Sequence, residues 1–194
     1  MEKTNLAITE AHSEGKGGKY LTFNLDENVY GIPILKVSEI IGIVSITPVP
    51  KMPSFIKGVI NLRGKIIPVM DLRLKFDMPE RPYDENTCII IINLEVKGIA
   101  KKIGVIVDIV SEVCGIPDSD IEDAPSYGTD SDEGFISGVG KIKEKVAMLL
   151  DIEHVIFSHD ILHLFNDAGK EHKAEIEPNI EFELEPETVS KKKK

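Results

Sequence analysis

The chain has 194 residues, 33 acids against 23 bases and a formal charge of −10. That balance argues against a nucleic-acid partner, which would call for a basic footprint, and no stretch approaches the ~18 apolar residues of a membrane span. Twenty-eight Ile and 15 Val are stiff at χ1 and suit a pleated surface, which argues against an all-helical bundle. Met1–Gly18 has no apolar h-region, so no secretory signal is expected. Cys88 and Cys114 then read as buried free thiols in a reducing compartment.

In chain order, residues 1–19 are polar and read as a disordered tail. Leu21, Phe23 and Leu25 alternate with polar positions as in a strand, Asp26–Asn28 supplies a turn, and Val29–Ile32 resumes the strand pattern. Ile34, Val37, Ile40 and Ile41 stand near helical spacing, so a short helix is expected there. Val59–Leu62 and Lys65–Met70 flank Arg63-Gly64 and read as a hairpin, with Gly64 free to take positive φ. Pro68 points to an edge strand, which tolerates a missing donor. Cys88–Leu94 is nearly all apolar, as in a strand covered on both faces. Residues 103–108 and 145–150 read as further strands. Gly115–Phe135 carries seven acids and no base and reads as a long surface loop. Ile161, Leu162, Leu164 and Phe165 suggest a closing helix over 158–165. Residues 166–194 read as a second disordered tail.

An internal repeat organises these pieces. Gly31–Ile43 aligns without gaps on Gly104–Ile116, sharing Val-Ser-Glu and Gly-Ile; Phe55-Ile-Lys-Gly-Val59 matches Phe135-Ile-Ser-Gly-Val139. In that second register Lys65, Asp71 and Leu72 meet Lys145, Asp151 and Ile152. Small β-units of this size hide their edges by closing, so the expected fold is all-β, with two similar barrels packed as one body.

Catalytic chemistry is hard to find. Gly138-Val-Gly140 lacks the spacing of a phosphate loop. His159 and His163 stand i and i+4, a metal pair only if a third ligand converged. The cysteines form no Cys-x-x-Cys. No enzyme, cofactor or metal is expected.

The segment Phe55–Phe76, with Gly-Val-Ile-Asn-Leu-Arg-Gly-Lys-Ile-Ile-Pro-Val at its centre, resembles the signature of the CheW family of bacterial chemotaxis coupling proteins. The resemblance runs from about Tyr20 to Phe165 and includes Tyr30–Ile40, Ile103–Asp108, Phe135–Gly140 and Ala147–Ile152. It implies two SH3-like five-stranded β-barrels sharing an apolar interface, with the first strand packing in the second barrel. The expected division is 26–85 for the first barrel, 20–25 plus 86–157 for the second, and short helices including the closing one. It also implies a non-catalytic cytoplasmic adaptor that bridges the tip of a chemoreceptor to the regulatory domain of the histidine kinase CheA at the inner face of the membrane. By that resemblance Val37, Glu39 and Arg63 match receptor-contacting positions. Lys57 is expected to join them by pairing with Glu39. Gly58 and Gly138 lie where the family is sensitive, as kinase-contacting or interface-supporting positions.

Overall fold

Strand β1 (Gly18–Leu25) is covered on both sides: Leu21, Phe23 and Leu25 enter one core and Tyr20 another. The computed structural model describes residues 15–96, 98–124, 134–143 and 145–158. Gly18 and Lys19 already pair with Ile116 and Gly115, so the strand starts before Tyr20. A turn with Asp26 at φ 57° leads into β2 (Asn28–Pro33), antiparallel to β1.

The helix expected over Ile34–Ile41 is not formed. One 3-10 turn (Ile34–Lys36) runs into β3 (Val37–Gly42). The pairing of β3 with β6 (Cys88–Val96) jumps register between Val37 and Glu39. An extra residue at such a bulge breaks the period of two and leaves apolar side chains at spacings that imitate a helix.

The hairpin β4 (Ile56–Leu62) and β5 (Lys65–Asp71) forms around Arg63-Gly64, and α1 (Leu72–Lys75) follows. Strand β5 is not an edge: it lies between β4 and β7 (Ile99–Val107). Pro68 is tolerated because the parallel pairing with β7 begins only at Val69. Then come β8 (Ile109–Ile116), β9 (Ile121–Glu122), β10 (Ile136–Ile142), β11 (Lys145–Leu150) and α2 (Ile152–Phe157). The acidic stretch is therefore partly ordered structure: β8 ends inside it, and a 3-10 turn (Asp118–Asp120) leads to β9. Helix α2 precedes the expected closing helix; residues 159–165, with His159 and His163, lie outside the described residues, as do both chain ends beyond 15 and 158.

Two antiparallel-rich sheets result. One has the order β3-β6-β7-β5-β4, the other β8-β1-β2-β11-β10-β9. Thr47, just past β3, bridges Val59 of β4 and closes the first sheet; β9, just past β8, pairs with β10 and closes the second. Ile60, Ile67, Val69, Ile89, Ile91 and Ile106 fill the first barrel. Tyr20, Ile116, Ala147 and Leu149 fill the second. The largest core lies between them and draws Leu21, Phe23 and Leu25 from one sheet and Ile90, Ile92 and Val105 from the other.

The division of the chain differs from 26–85 against 20–25 plus 86–157. Strand β2 belongs to the second barrel, and β6 and β7 belong to the first. The two repeats exchange their leading hairpins: β1–β2 pairs into the sheet of the later repeat, β6–β7 into that of the earlier one. Each aligned segment, Gly31–Ile43 and Gly104–Ile116, is the crossing from one barrel to the other.

Candidate docking site

The shared Val-Ser-Glu motif is the bulge of β3, and it aims Glu39 at the tip of the β4–β5 hairpin. There Arg63 and Gly64 both take left-handed backbone, φ 53° and 82°, the geometry of a two-residue turn matched to strand twist. Asn61 Oδ1 accepts from the Gly64 amide at 2.9 Å and steadies the turn. Arg63 Nη2 donates to Glu39 Oε2 at 2.9 Å. Arg63 is 81% exposed and Glu39 22%, so the pair contributes about 0–1 kcal/mol and leaves most of the guanidinium for a partner. Val37, half-buried, stands at the start of the same bulge, and Ile40, one residue past Glu39, is exposed. The structure thus joins Glu39 to Arg63, while Val37, paired with Ile92 across the bulge, packs against the core between the barrels.

Lys57 does not join them. Its ammonium bonds Glu80 at 2.8 Å, beyond α1, and that hydrogen bond holds the Glu80 carboxyl below its usual range. The expected Lys57–Glu39 pair is corrected accordingly: Arg63 occupies Glu39 from the hairpin tip. Gly58 sits at φ 138° on a bulge of β4, and a Cβ there would lie 2.1 Å from the Thr47 carbonyl oxygen. Gly138 marks the matching bulge of β10, where a Cβ would meet Ile121 and the Glu122 carbonyl oxygen at 2.9 and 3.0 Å. Both glycines let the strand that closes each barrel approach.

The second barrel repeats the pair. Glu112, next to the corresponding bulge of β8, bonds Lys143 at 3.1 Å, and Lys143 also has positive φ, 56°. The register that matches Lys65 to Lys145 also sets Arg63 against Lys143, so the second pair was readable from the repeat. Two ion pairs at the barrel junction were not anticipated: Arg73–Asp108 at 2.6 Å, buried, and Lys36–Glu153 at 2.6 Å, half-exposed. Arg73 and Glu153 hold matching positions with opposite charge, while Asp108 aligns with Leu35 and Lys36 with Ile109, so similarity of residue types could not reveal them.

Burial and the neighbouring Asp71 carboxylate, which accepts its hydrogen bond at 2.9 Å, keep the Tyr83 hydroxyl protonated far above its ordinary range. Burial pushes the half-buried Cys114 thiol up as well. Among the described residues no group of three His, Cys, Asp or Glu could hold a metal, and no helix is long and apolar enough to cross a membrane.

The family model for the CheW-like domain matches residues 19–159. The chain is 36% identical over 165 residues to chemotaxis protein CheW of Klebsiella aerogenes, covering 85% of this chain and 96% of that one. It is 32% identical to chemotaxis protein CheW of Bacillus subtilis, covering 72% and 87%. Among solved structures it is similar to the scaffolding protein TtCheW from Thermoanaerobacter tengcongensis, with 40% identity, a TM-score of 0.63 and coverage of 72% and 92%.

Proposed function

The chain belongs to the CheW-like family, and on that premise we propose that it is a chemotaxis adaptor that holds a chemoreceptor tip against the regulatory domain of the histidine kinase CheA. It works by presenting surfaces, without catalysis, at the inner face of the membrane. The observation that carries this reading is the Glu39–Arg63 pair, with the exposed Ile66 on the same hairpin. An exposed guanidinium tethered at one end selects a carboxylate-bearing partner surface, and the apolar side chains beside it supply contact area. A helical hairpin with an apolar stripe and acidic flanks fits that description.

The kinase contact follows from duplication. Two closed barrels with matching ends can each meet a similar barrel, and alternating such contacts closes a ring. Each joint is expected to bury about 1,000 Å² or less, so the array gains strength through avidity. Gly58 and Gly138 support these ends from inside. Reversing Arg63 with Arg63→Glu tests the receptor half. Co-sedimentation with a receptor signalling fragment should fall at least ten-fold while far-ultraviolet circular dichroism and kinase binding hold. Undiminished receptor binding by the folded variant removes Arg63 from the site.

A further inference from the structure

The two barrels differ at their open ends. Aligning Gly31 on Gly104 sets Val29 of β2 against Lys102 of β7, and Ser111 and Glu112 of β8 against Ser38 and Glu39 of β3. The hairpin register sets Ile142, Lys143 and Lys145 against Leu62, Arg63 and Lys65. Strand pairing agrees, because Lys102 pairs with Asn93 as Val29 pairs with Asn24. In the first barrel Lys102 reaches from β7 across β6 to β3, where its ammonium donates to Ser38 Oγ at 2.6 Å. A lysine stem covers apolar surface while its head stays polar, and this one lies across the mouth of the barrel. Val29 is too short to repeat the reach. Ser111 Oγ donates instead to Asn24 Oδ1 at 2.9 Å. The mouth of the second barrel is left as a cavity of about 510 Å³, with Val29 and Ile142 as its apolar wall and Asn24, Ser111 and Glu112 as its acceptors.

We propose that this cavity receives a lysine side chain from a protein partner, in the place that Lys102 takes in the first barrel. The stem lies along Val29 and Ile142, and the ammonium donates to Ser111 Oγ and Asn24 Oδ1 with the Glu112 carboxylate beside it. An ammonium has three donors and no acceptor, and two acceptor oxygens 2.9 Å apart lie within reach of one such head. The neighbouring cations do not select against it. Lys143 bonds Glu112 at 3.1 Å as Arg63 bonds Glu39 at 2.9 Å, and Lys145 stands where the first barrel has Lys65. The Lys102 ammonium is lodged in that same arrangement of one acid and two bases. The first barrel is thus the template: its mouth is filled from within, whereas no described side chain fills the second. This site lies on the other barrel from Arg63, goes beyond the receptor reading and does not rest on it.

The test is an NMR titration of the full chain with Nα-acetyl-lysine-N-methylamide. The Val29 and Ile142 methyls and the Asn24 side-chain amide should shift and saturate, while Leu62 and Ile41 in the first barrel stay fixed. The norleucine analogue, which keeps the stem and lacks the ammonium, and the glutamate analogue should each bind at least ten-fold more weakly. Val29→Lys supplies a resident lysine and should weaken the probe at least ten-fold. Lys102→Val empties the first mouth and should bring Leu62 and Asn93 into the titration. Unchanged Ile90 and Ile92 methyls in the shared core verify that both variants are folded. Second-barrel signals that do not saturate, equal affinity for either analogue, undiminished binding by folded Val29→Lys, or a first barrel that stays silent in folded Lys102→Val would each overturn the proposal.

Discussion

A single missing Cβ holds the first barrel shut. At Gly58 positive φ and a carbonyl 2.1 Å from the would-be Cβ combine, and a backbone oxygen cannot swing aside as a side chain can. Gly58→Ala should therefore cost about 3 kcal/mol, from left-handed strain plus overpacking. Gly138 has no such φ, and a Cβ there would meet a movable Ile121 methyl at 2.9 Å and the Glu122 carbonyl oxygen at 3.0 Å against 2.1 Å at Gly58, so Gly138→Ala should cost less, about 1 kcal/mol. Urea denaturation of the two variants decides it; equal losses would refute the difference. The surface carboxylates make a second prediction. Lys141 bonds Glu122 and lowers its pKa. A depressed carboxyl favours the folded chain above its unfolded value of about 4.3, and the benefit disappears as pH falls through the lower folded value. In an NMR titration the Glu122 midpoint should lie below that of a model glutamate and rise again in Lys141→Met.

At the scale of elements, the two short helices are set by aspartates at matching positions. Asp71 accepts from the Arg73 amide at 2.8 Å and the Leu74 amide at 3.4 Å, and takes the Tyr83 hydroxyl as well. Asp151, among the described residues, accepts from the His154 amide at 3.0 Å and is exposed. Asp71→Ala should cost about 2 kcal/mol, the upper range for a cap, and Asp151→Ala about half that; thermal unfolding compares them. Much of this was legible. The alternation of Leu21, Phe23 and Leu25 and the all-apolar run at Cys88–Leu94 gave strands because burial on one or two faces writes itself into local pattern. The Arg63-Gly64 tip was legible from turn chemistry. The strand at Val37–Gly42 was not, since a bulge displaces side chains from the period of two, and α2 was not, since six residues scarcely establish a helical period. Val37, Glu39 and Arg63 were readable as a group only through the family resemblance; the bond the structure shows, between Glu39 and Arg63, depends on the bulge. Lys57 went to Glu80 because that acid approaches through a loop whose path no periodicity records.

Across the whole molecule, the barrels are held by a shared core and by a buried joint at Asp108. Its carboxylate takes Arg73 at 2.6 Å and the Asp26 amide at 2.7 Å, and its own amide donates to the Asn24 carbonyl at 3.2 Å. One side chain thus ties α1, the β1–β2 turn and the end of β7. Arg73→Met would leave that carboxylate buried beside only Arg81 at 3.8 Å, and should cost about 3 kcal/mol, read by urea denaturation. Loss of stability of less than about 1 kcal/mol would show that Arg81 replaces it. Deeper in the same junction Lys75 lies 4.8 Å from the Phe55 ring centre and 5.2 Å from that of Phe135. Those two rings occupy matching places in the repeats, so a single cation sits where the two halves meet. Duplication explains why each half was recognisable in sequence, and exchange of hairpins explains why the cut between them was misplaced: similarity reports ancestry of segments, whereas pairing reports where each segment finds its missing neighbours.

That exchange has a consequence for synthesis on the ribosome. The β1–β2 hairpin emerges first, yet its neighbours β8 and β11 arrive only with residues 109–116 and 145–150. The five-stranded barrel, which needs nothing beyond Val107, completes earlier and must do so with an unsatisfied leading hairpin beside it. Nascent chains arrested between these points would carry open strand edges, the form most prone to aggregation, so chaperone dependence should peak for intermediates halted after β7 and vanish once β11 clears the exit tunnel.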